Sequence, residues 1–264
     1  MNRMSDQKYL LTEQYKNPSN LTDRATLHIR FNTNPYGWML WVFDQFDFSE
    51  EARILELGCG PAWLWRENLD RIPEGWKITL SDFSPGMLAE AQTHLQDCGR
   101  AFHLEQVDAQ SIPFGDGTFD GVIANHMFYH VPDRQKAFSE VRRVLKYGGR
   151  LFAATNGDAH MKDLRELAGR VDSEAYGGFG SDEFGLENGE GQLAPWFEAI
   201  EIRFQDNGLH VTEVDPLIAY VASSKRLDEA QLSELRTLVE AEIAEKGAFD
   251  IEKKQGMFVA RRAV

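Results

Sequence analysis

The sequence predicts a doubly wound α/β fold, and three observations carry that prediction. Between Arg53 and Thr155, short apolar runs alternate with stretches of helical periodicity, the pattern of a parallel sheet covered on both faces. A glycine turn, Gly58-Cys59-Gly60, follows the first apolar run directly. Acidic residues close or follow the next two runs, at Asp82 and Asp108, so polar groups collect at one edge of the expected sheet.

Taken in order, the predicted strands are Arg53 to Leu57, Trp76 to Ser81, Ala101 to Val107, Phe119 to Ala124 and Arg150 to Ala154. The first intervening helix runs from about Pro61 to Asp70, with proline tolerated in its first turn. Ser84 is placed to N-cap the next, with Pro85 at its first position. A third spans Pro132 to Leu145, where Phe138, Val141 and Leu145 share an apolar face, and Gly148 and Gly149 are expected to end it in a left-handed cap. Before the sheet, residues 1–50 read as a helical cap with helices over Thr22 to Phe31 and Tyr36 to Phe46. The cofactor-binding core is expected over 51–157. Residues 158–198 hold a helix at Asp163 to Val171 and then glycines at 177, 178, 180, 185, 189 and 191, read as a lid or a surface excursion. Residues 199–264 would complete the sheet: a strand over Ala199 to Phe204, a helix opened by a capping box at Asp228 to Gln231 and stopped by Gly247, and a last, antiparallel strand over Gly256 to Arg261.

Composition narrows the function. Lys and Arg number 28 against 42 Asp and Glu, a net charge of -14, so the average surface repels phosphate backbones and anionic lipid. Neither a nucleic-acid nor a membrane partner is expected. No signal-like N-terminus and no run near the roughly 20 apolar residues of a span is present, so the expected location is cytoplasmic. Cys59 and Cys98, the two cysteines, have no CxxC or zinc-like spacing and read as free thiols.

The glycine turn discriminates between ligands. A dinucleotide fold places a third glycine where Trp63 stands, and Glu56, two residues before the turn, would repel a diphosphate. A nicotinamide-dependent reductase is therefore disfavoured. The same carboxylate suits a ligand bearing an ammonium group. Asp82 can accept the two hydroxyls of a ribose, and Asp108 a bond from an adenine amino group.

These motifs resemble those of class I, Rossmann-like S-adenosylmethionine-dependent methyltransferases. ILELGCGPAW resembles the first motif, with Ala62 in place of its frequent third glycine; SDFSPGML resembles the acidic second. VDAQSIPFGDGTFDGVIANHMFYHV resembles the third and fourth, and EVRRVLKYGGRLFAAT leads into the fifth strand. The resemblance implies strand order 3-2-1-4-5-7-6 with the seventh strand antiparallel, and S-adenosyl-L-methionine as cofactor. It implies that Gly58 and Gly60 meet the methionyl end, Asp82 the ribose and Asp108 the adenine. Glu56 is the expected ammonium contact, directly or through water, or else a carboxylate that braces the loop. Asn125 is expected near the methionyl group, Phe83 and Met87 against the base, Ala109 beside it, and Tyr15 folded over the cofactor.

The implied reaction is methyl transfer to a small-molecule acceptor by in-line displacement; the alternative is a module that binds the cofactor without transferring anything. Positioning dominates such a reaction, and a general base helps only acceptors that must lose a proton. The catalytic candidates are His126, after the fourth strand, and His28, in the cap; His130, His160 and His210 are the further histidines considered. Tyr15, Phe31, Trp38 and Trp41 read as an aromatic wall for the acceptor or as a seam holding the cap to the sheet. Arg30 could receive a substrate carboxylate. Too few carboxylates follow the fourth and fifth strands to hold magnesium, so no metal is expected.

Overall fold

The computed structural model describes residues 6–7, 19–173, 181–224 and 226–263. One seven-stranded sheet in the order β3-β2-β1-β4-β5-β7-β6 organises them. Its strands are β1 (Arg53–Leu57), β2 (Lys77–Asp82), β3 (His103–Gln106), β4 (Phe119–Asn125), β5 (Leu145–Asn156), β6 (Glu198–Val211) and β7 (Phe249–Arg261). The first five pair in parallel, and β7 lies antiparallel between β5 and β6, as the sequence motifs imply.

The helices are α1 (Ser19–Phe31), α2 (Trp38–Asp44), α3 (Trp63–Glu67), α4 (Pro85–Leu95), α5 (Arg134–Val144), α6 (Lys162–Gly169), α7 (Ser181–Phe184), α8 (Gly189–Leu193), α9 (Val214–Ala222) and α10 (Glu229–Lys246). Local chemistry accounts for their ends. Ser84 Oγ accepts from the Met87 N–H at 3.4 Å, and Asp133 Oδ1 from the Lys136 N–H at 3.0 Å, each satisfying an otherwise orphaned donor. Asp228 and Gln231 form a complete capping box, and Gly247 closes α10 at φ +85°.

Three expectations are corrected. Gly148 and Gly149 do not cap α5, which already ends at Val144. They lie in the irregular start of β5, where the Gly148 N–H donates to the Arg262 carbonyl and the Arg262 N–H to that of Gly149. The first helix after the glycine turn is a short α3 followed by a 3-10 turn at Leu69–Arg71, not a continuous helix to Asp70. Strands β6 and β7 run far longer than their apolar pattern, because their polar halves also pair, from Asp206↔Lys254 to Val211↔Phe249.

Three apolar clusters fill the fold. One packs α5, α7 and α8 on a face of the sheet around Phe138, Phe184 and Phe258. A second, rich in aromatic residues, holds α2 and α3 against the opposite face around Trp65, Phe43 and Phe152. The third joins α1, α6, α9 and α10 to the ends of β6 and β7 through Leu27, Leu164, Leu217 and Leu235. The described helices before the sheet thus divide: α1 joins the third cluster and α2 the second. In the Gly-rich stretch, residues 174–180 lie outside those described, while Phe184 and Leu193 are wholly buried and a Cβ on Gly189 would sit 2.4 Å from the Phe258 ring. Among the described residues, no helix is long and apolar enough to cross a membrane.

Candidate active site

A cavity of about 790 Å³ opens at the carboxyl ends of β1 to β5, lined by residues of all three apolar clusters. At that edge the sheet order changes direction between β1 and β4, which leaves a crevice. The glycine turn forms its floor. Gly58 adopts φ +68°, and a Cβ there would lie 2.8 Å from Met127 Cβ, so the position admits only glycine without displacement of its neighbour. Ala62, in the place of the third glycine, is fully buried and also left-handed at φ 60°. Asp82 ties this turn to β2: its Oδ2 accepts from the Gly60 N–H at 2.9 Å and its Oδ1 from the Ser84 N–H at 2.8 Å. Each carboxylate oxygen has two lone pairs, so both retain capacity for a hydroxyl. Burial raises the carboxyl above its ordinary range, against the pull of these N–H groups.

Glu56 is 2% exposed, and its Oε2 accepts from Trp65 Nε1 at 2.6 Å. The indole braces one oxygen; desolvation still pushes the carboxyl up to about 8, with Asp82 adding to the rise. Glu56 lines the cavity, so it is both a structural carboxylate and a wall of the site. Asp108 is oriented by Gln110, whose backbone N–H and side-chain amide donate to Oδ1 at 2.9 and 3.0 Å. Phe83, Met87, Ala109 and Asn125 line the same space. Trp38 Nε1 donates to Asn125 Oδ1 at 3.3 Å, fixing that amide. The structure therefore brings together Glu56, Gly58, Gly60, Asp82, Phe83, Met87, Asp108, Ala109 and Asn125; Tyr15 lies outside the described residues.

Across the cavity stand the histidines. His126 sits just past β4 at φ 56°, an uncommon conformation for a residue other than glycine, pinned by its N–H bond to the Ala154 carbonyl at 3.0 Å. Its ring lies 5.2 Å from that of Trp38. Burial, then Lys253 and His130, pulls its pKa down to about 4. His28 and His160 also line the cavity, with the His28 ring edge-on to Tyr220 at 5.6 Å. Desolvation, His28 and Lys253 hold His160 well below the ordinary imidazole range. His130 lines the wall beside Tyr129, whereas His210 is at the surface, paired with Asp250. Trp38 belongs to the cavity wall; Phe31 and Trp41 are packed in the clusters behind it. Arg30 is an exposed partner of Glu213 and does not face the site.

Lys253 and Gln255 were not singled out in the sequence. Lys253 is 6% exposed and Gln255 5%, and both line the cavity. A signal for them exists: Phe249, Ile251, Lys253, Gln255, Met257 and Val259 alternate along one face of β7, and two polar residues interrupt an otherwise apolar row.

Residues 55–153 match the model of the family described as a methyltransferase domain. A malonyl-[acyl-carrier protein] O-methyltransferase of Geobacter sulfurreducens is 36% identical over 118 residues, 44% of this chain and 43% of that protein. A demethylmenaquinone methyltransferase of Desulfitobacterium hafniense is 32% identical over 115 residues, 43% of this chain and 46% of its own length. The chain thus spans less than half the length of these relatives. Phosphoethanolamine N-methyltransferase 2 of Haemonchus contortus, solved with S-adenosyl-L-methionine, superposes with a TM-score of 0.61 at 19% identity, covering 100% of this chain and 61% of that one, a likeness of fold.

Proposed function

From a core that belongs to the class I, Rossmann-like S-adenosylmethionine-dependent methyltransferases, we propose that this protein moves a methyl group from S-adenosyl-L-methionine to a small-molecule acceptor. One observation carries the reading. Carboxylates Glu56, Asp82 and Asp108, at the ends of three adjacent strands, line one side of a single cavity and favour a cationic adenosine ligand over a diphosphate.

The residues present fit that group. Gly58 leaves the turn free of a Cβ, Asp82 keeps lone pairs for two hydroxyls, and Glu56 has its second oxygen for an ammonium. Gly60 and Asn125 would complete the methionyl end, and Asp108, Ala109, Phe83 and Met87 the adenine end. When bound, the cofactor supplies a methyl group already activated on a sulfonium.

The chain's own part is to hold the acceptor and exclude water. Trp38, Met127 and Tyr129 give the wall an apolar surface beside His126. At its low pKa, neutral His126 can accept a hydrogen bond and orient an acceptor, but it is a weak proton acceptor near pH 7. Acceptors that arrive deprotonated, or that carry a free lone pair, suit this wall best.

Isothermal titration with S-adenosylmethionine and S-adenosylhomocysteine tests the cofactor. Both should bind, and Asp82→Ala should weaken both by about 100-fold through loss of two charge-assisted hydroxyl bonds. Absence of binding to the wild-type chain would end the proposal. Product formation with phenols, amines and carboxylates separates a transferase from a module that only binds the cofactor.

A further inference from the structure

The polar tract on β6 and β7 is an unusual use of buried strand positions. Gln205, Asn207, Lys253 and Gln255 are all at least nine-tenths buried, and their register pairs Gln205↔Gln255 and Asn207↔Lys253 on one face of the sheet. Asn156, at the end of β5, stands opposite Gln255 and also lines the cavity. Three of the side chains are neutral amides held by one another, by backbone or by Asn32: Gln255 Nε2 donates to Gln205 Oε1 at 3.3 Å, Gln205 Nε2 to the Tyr36 carbonyl at 2.9 Å, and Asn207 Nδ2 to Asn32 Oδ1 at 3.3 Å. Lys253 is the charged member. Its ammonium donates to Asn32 Oδ1 at 3.0 Å, and among the described residues no carboxylate lies within ion-pair distance of it.

An ammonium carries three donors, and a buried one without a counter-charge is costly unless a partner arrives. Burial alone lowers Lys253 to about 8. The histidines on that side supply no negative charge, and the carboxylates that line the cavity are Glu56 on β1, Asp82 on β2, Asp108 just past β3 and Glu67 at the end of α3. The β7 strand stands three strand spacings from β1, about 14 Å across the sheet. The cavity therefore carries its carboxylates on β1, β2, α3 and the turn after β3, and an ammonium on β7.

We propose that Lys253 is the receptor for a carboxylate on the methyl acceptor, with Gln255 and Asn156 on the same wall. This names the substrate class of the site described above and rests on the transferase reading only in calling that molecule the acceptor. One ammonium matches the single charge of a carboxylate; a phosphate dianion would bring a second charge that no described cation of the cavity meets.

The test is titration of the full chain, saturated with S-adenosylhomocysteine, with phenylacetate, indole-3-acetate and octanoate, each beside its primary amide, and with phenyl phosphate. Acids should bind and their amides should bind about 30-fold more weakly or worse. Lys253→Met should weaken acid binding to the same extent while leaving the affinity for S-adenosylhomocysteine within about twofold. Since that change removes an uncompensated buried charge, the variant should melt no lower than the wild type, and Lys253→Gln, which keeps a donor for Asn32, serves as a second variant. Amides binding as well as acids, no acid binding at all, phenyl phosphate binding more tightly than phenylacetate, or Lys253→Met binding acids unchanged would each overturn the assignment. Acid binding through Lys253 without transfer to any acceptor would sink the transferase reading and leave the anion site standing. Methylation of neutral acceptors alone, unaffected by Lys253→Met, would do the reverse.

Discussion

Gly58 and Glu56 show how single residues set the properties of this site. Replacing Gly58 by alanine combines a left-handed backbone with a Cβ driven against Met127, and should cost about 2–4 kcal/mol in urea denaturation. Adding Met127→Ala should return the steric part and leave the backbone part, a non-additivity that a double-mutant cycle reads directly. Glu56 makes stability depend on pH in an unusual sense. Its carboxyl holds its proton up to about pH 8 in the fold, against roughly 4.3 in the unfolded chain. Its contribution is complete below the unfolded value and is lost as pH rises through 8. His126 shifts the other way, and its effect is finished by about pH 6.5. Lys253, lowered to about 8, begins to offset the loss only as pH nears 8; between pH 6.5 and 8 the wild type should therefore lose about 1.5 kcal/mol, and Glu56→Gln should lack that decline in paired urea melts. If Glu56 meets the cofactor's ammonium, binding at pH 7 should release a proton, seen as a buffer-dependent calorimetric enthalpy that Glu56→Gln abolishes.

Among the elements, those with complete local signals formed where the pattern placed them. Helix α10 has its capping box and its glycine stop, and Asp228→Ala should lower stability by about 1 kcal/mol in thermal melts. Strand β1 spans the predicted residues because its apolar run is bounded by polar Arg53 and the glycine turn. Helix α9 was not anticipated. Its nine residues are too few to form alone, and it exists because Leu217, Ile218 and Val221 are buried against α1 and α10. The polar half of β7 was not anticipated either. Lys253 and Gln255 continue the alternation of one strand face, but only the pairing with β6 turns that face inward beneath Asn32. The alternation marks which residues share a face; nothing nearby in the chain says what will cover it.

At the scale of the whole molecule, the described part of the Gly-rich stretch contributes to the core. Phe184 packs against the rings of Phe128, Phe138 and Phe258, so Phe184→Ala should cost about 3–5 kcal/mol in chemical denaturation. A segment acting only as a lid would change turnover and leave that stability intact. The site has the same long-range character. One wall of the cavity comes from consecutive strand ends within 56–126, but the opposite wall joins Asn32 to Lys253, 221 residues apart, and adds His28, His160 and Tyr220 from three further segments.

By itself the sequence determined the α/β class, the positions of the parallel strands, the glycine turn and the acidic residues that gather at the strand ends. Those features depend on periodicity and on neighbours a few residues away, which a single chain displays directly. Tertiary structure alone decided the extent of β6 and β7, the assignment of α1 and α2 to different clusters, and the presence of a buried ammonium in the same cavity as the carboxylates. These follow from register and burial between distant segments, where the free energy depends on which surfaces meet rather than on which residues adjoin.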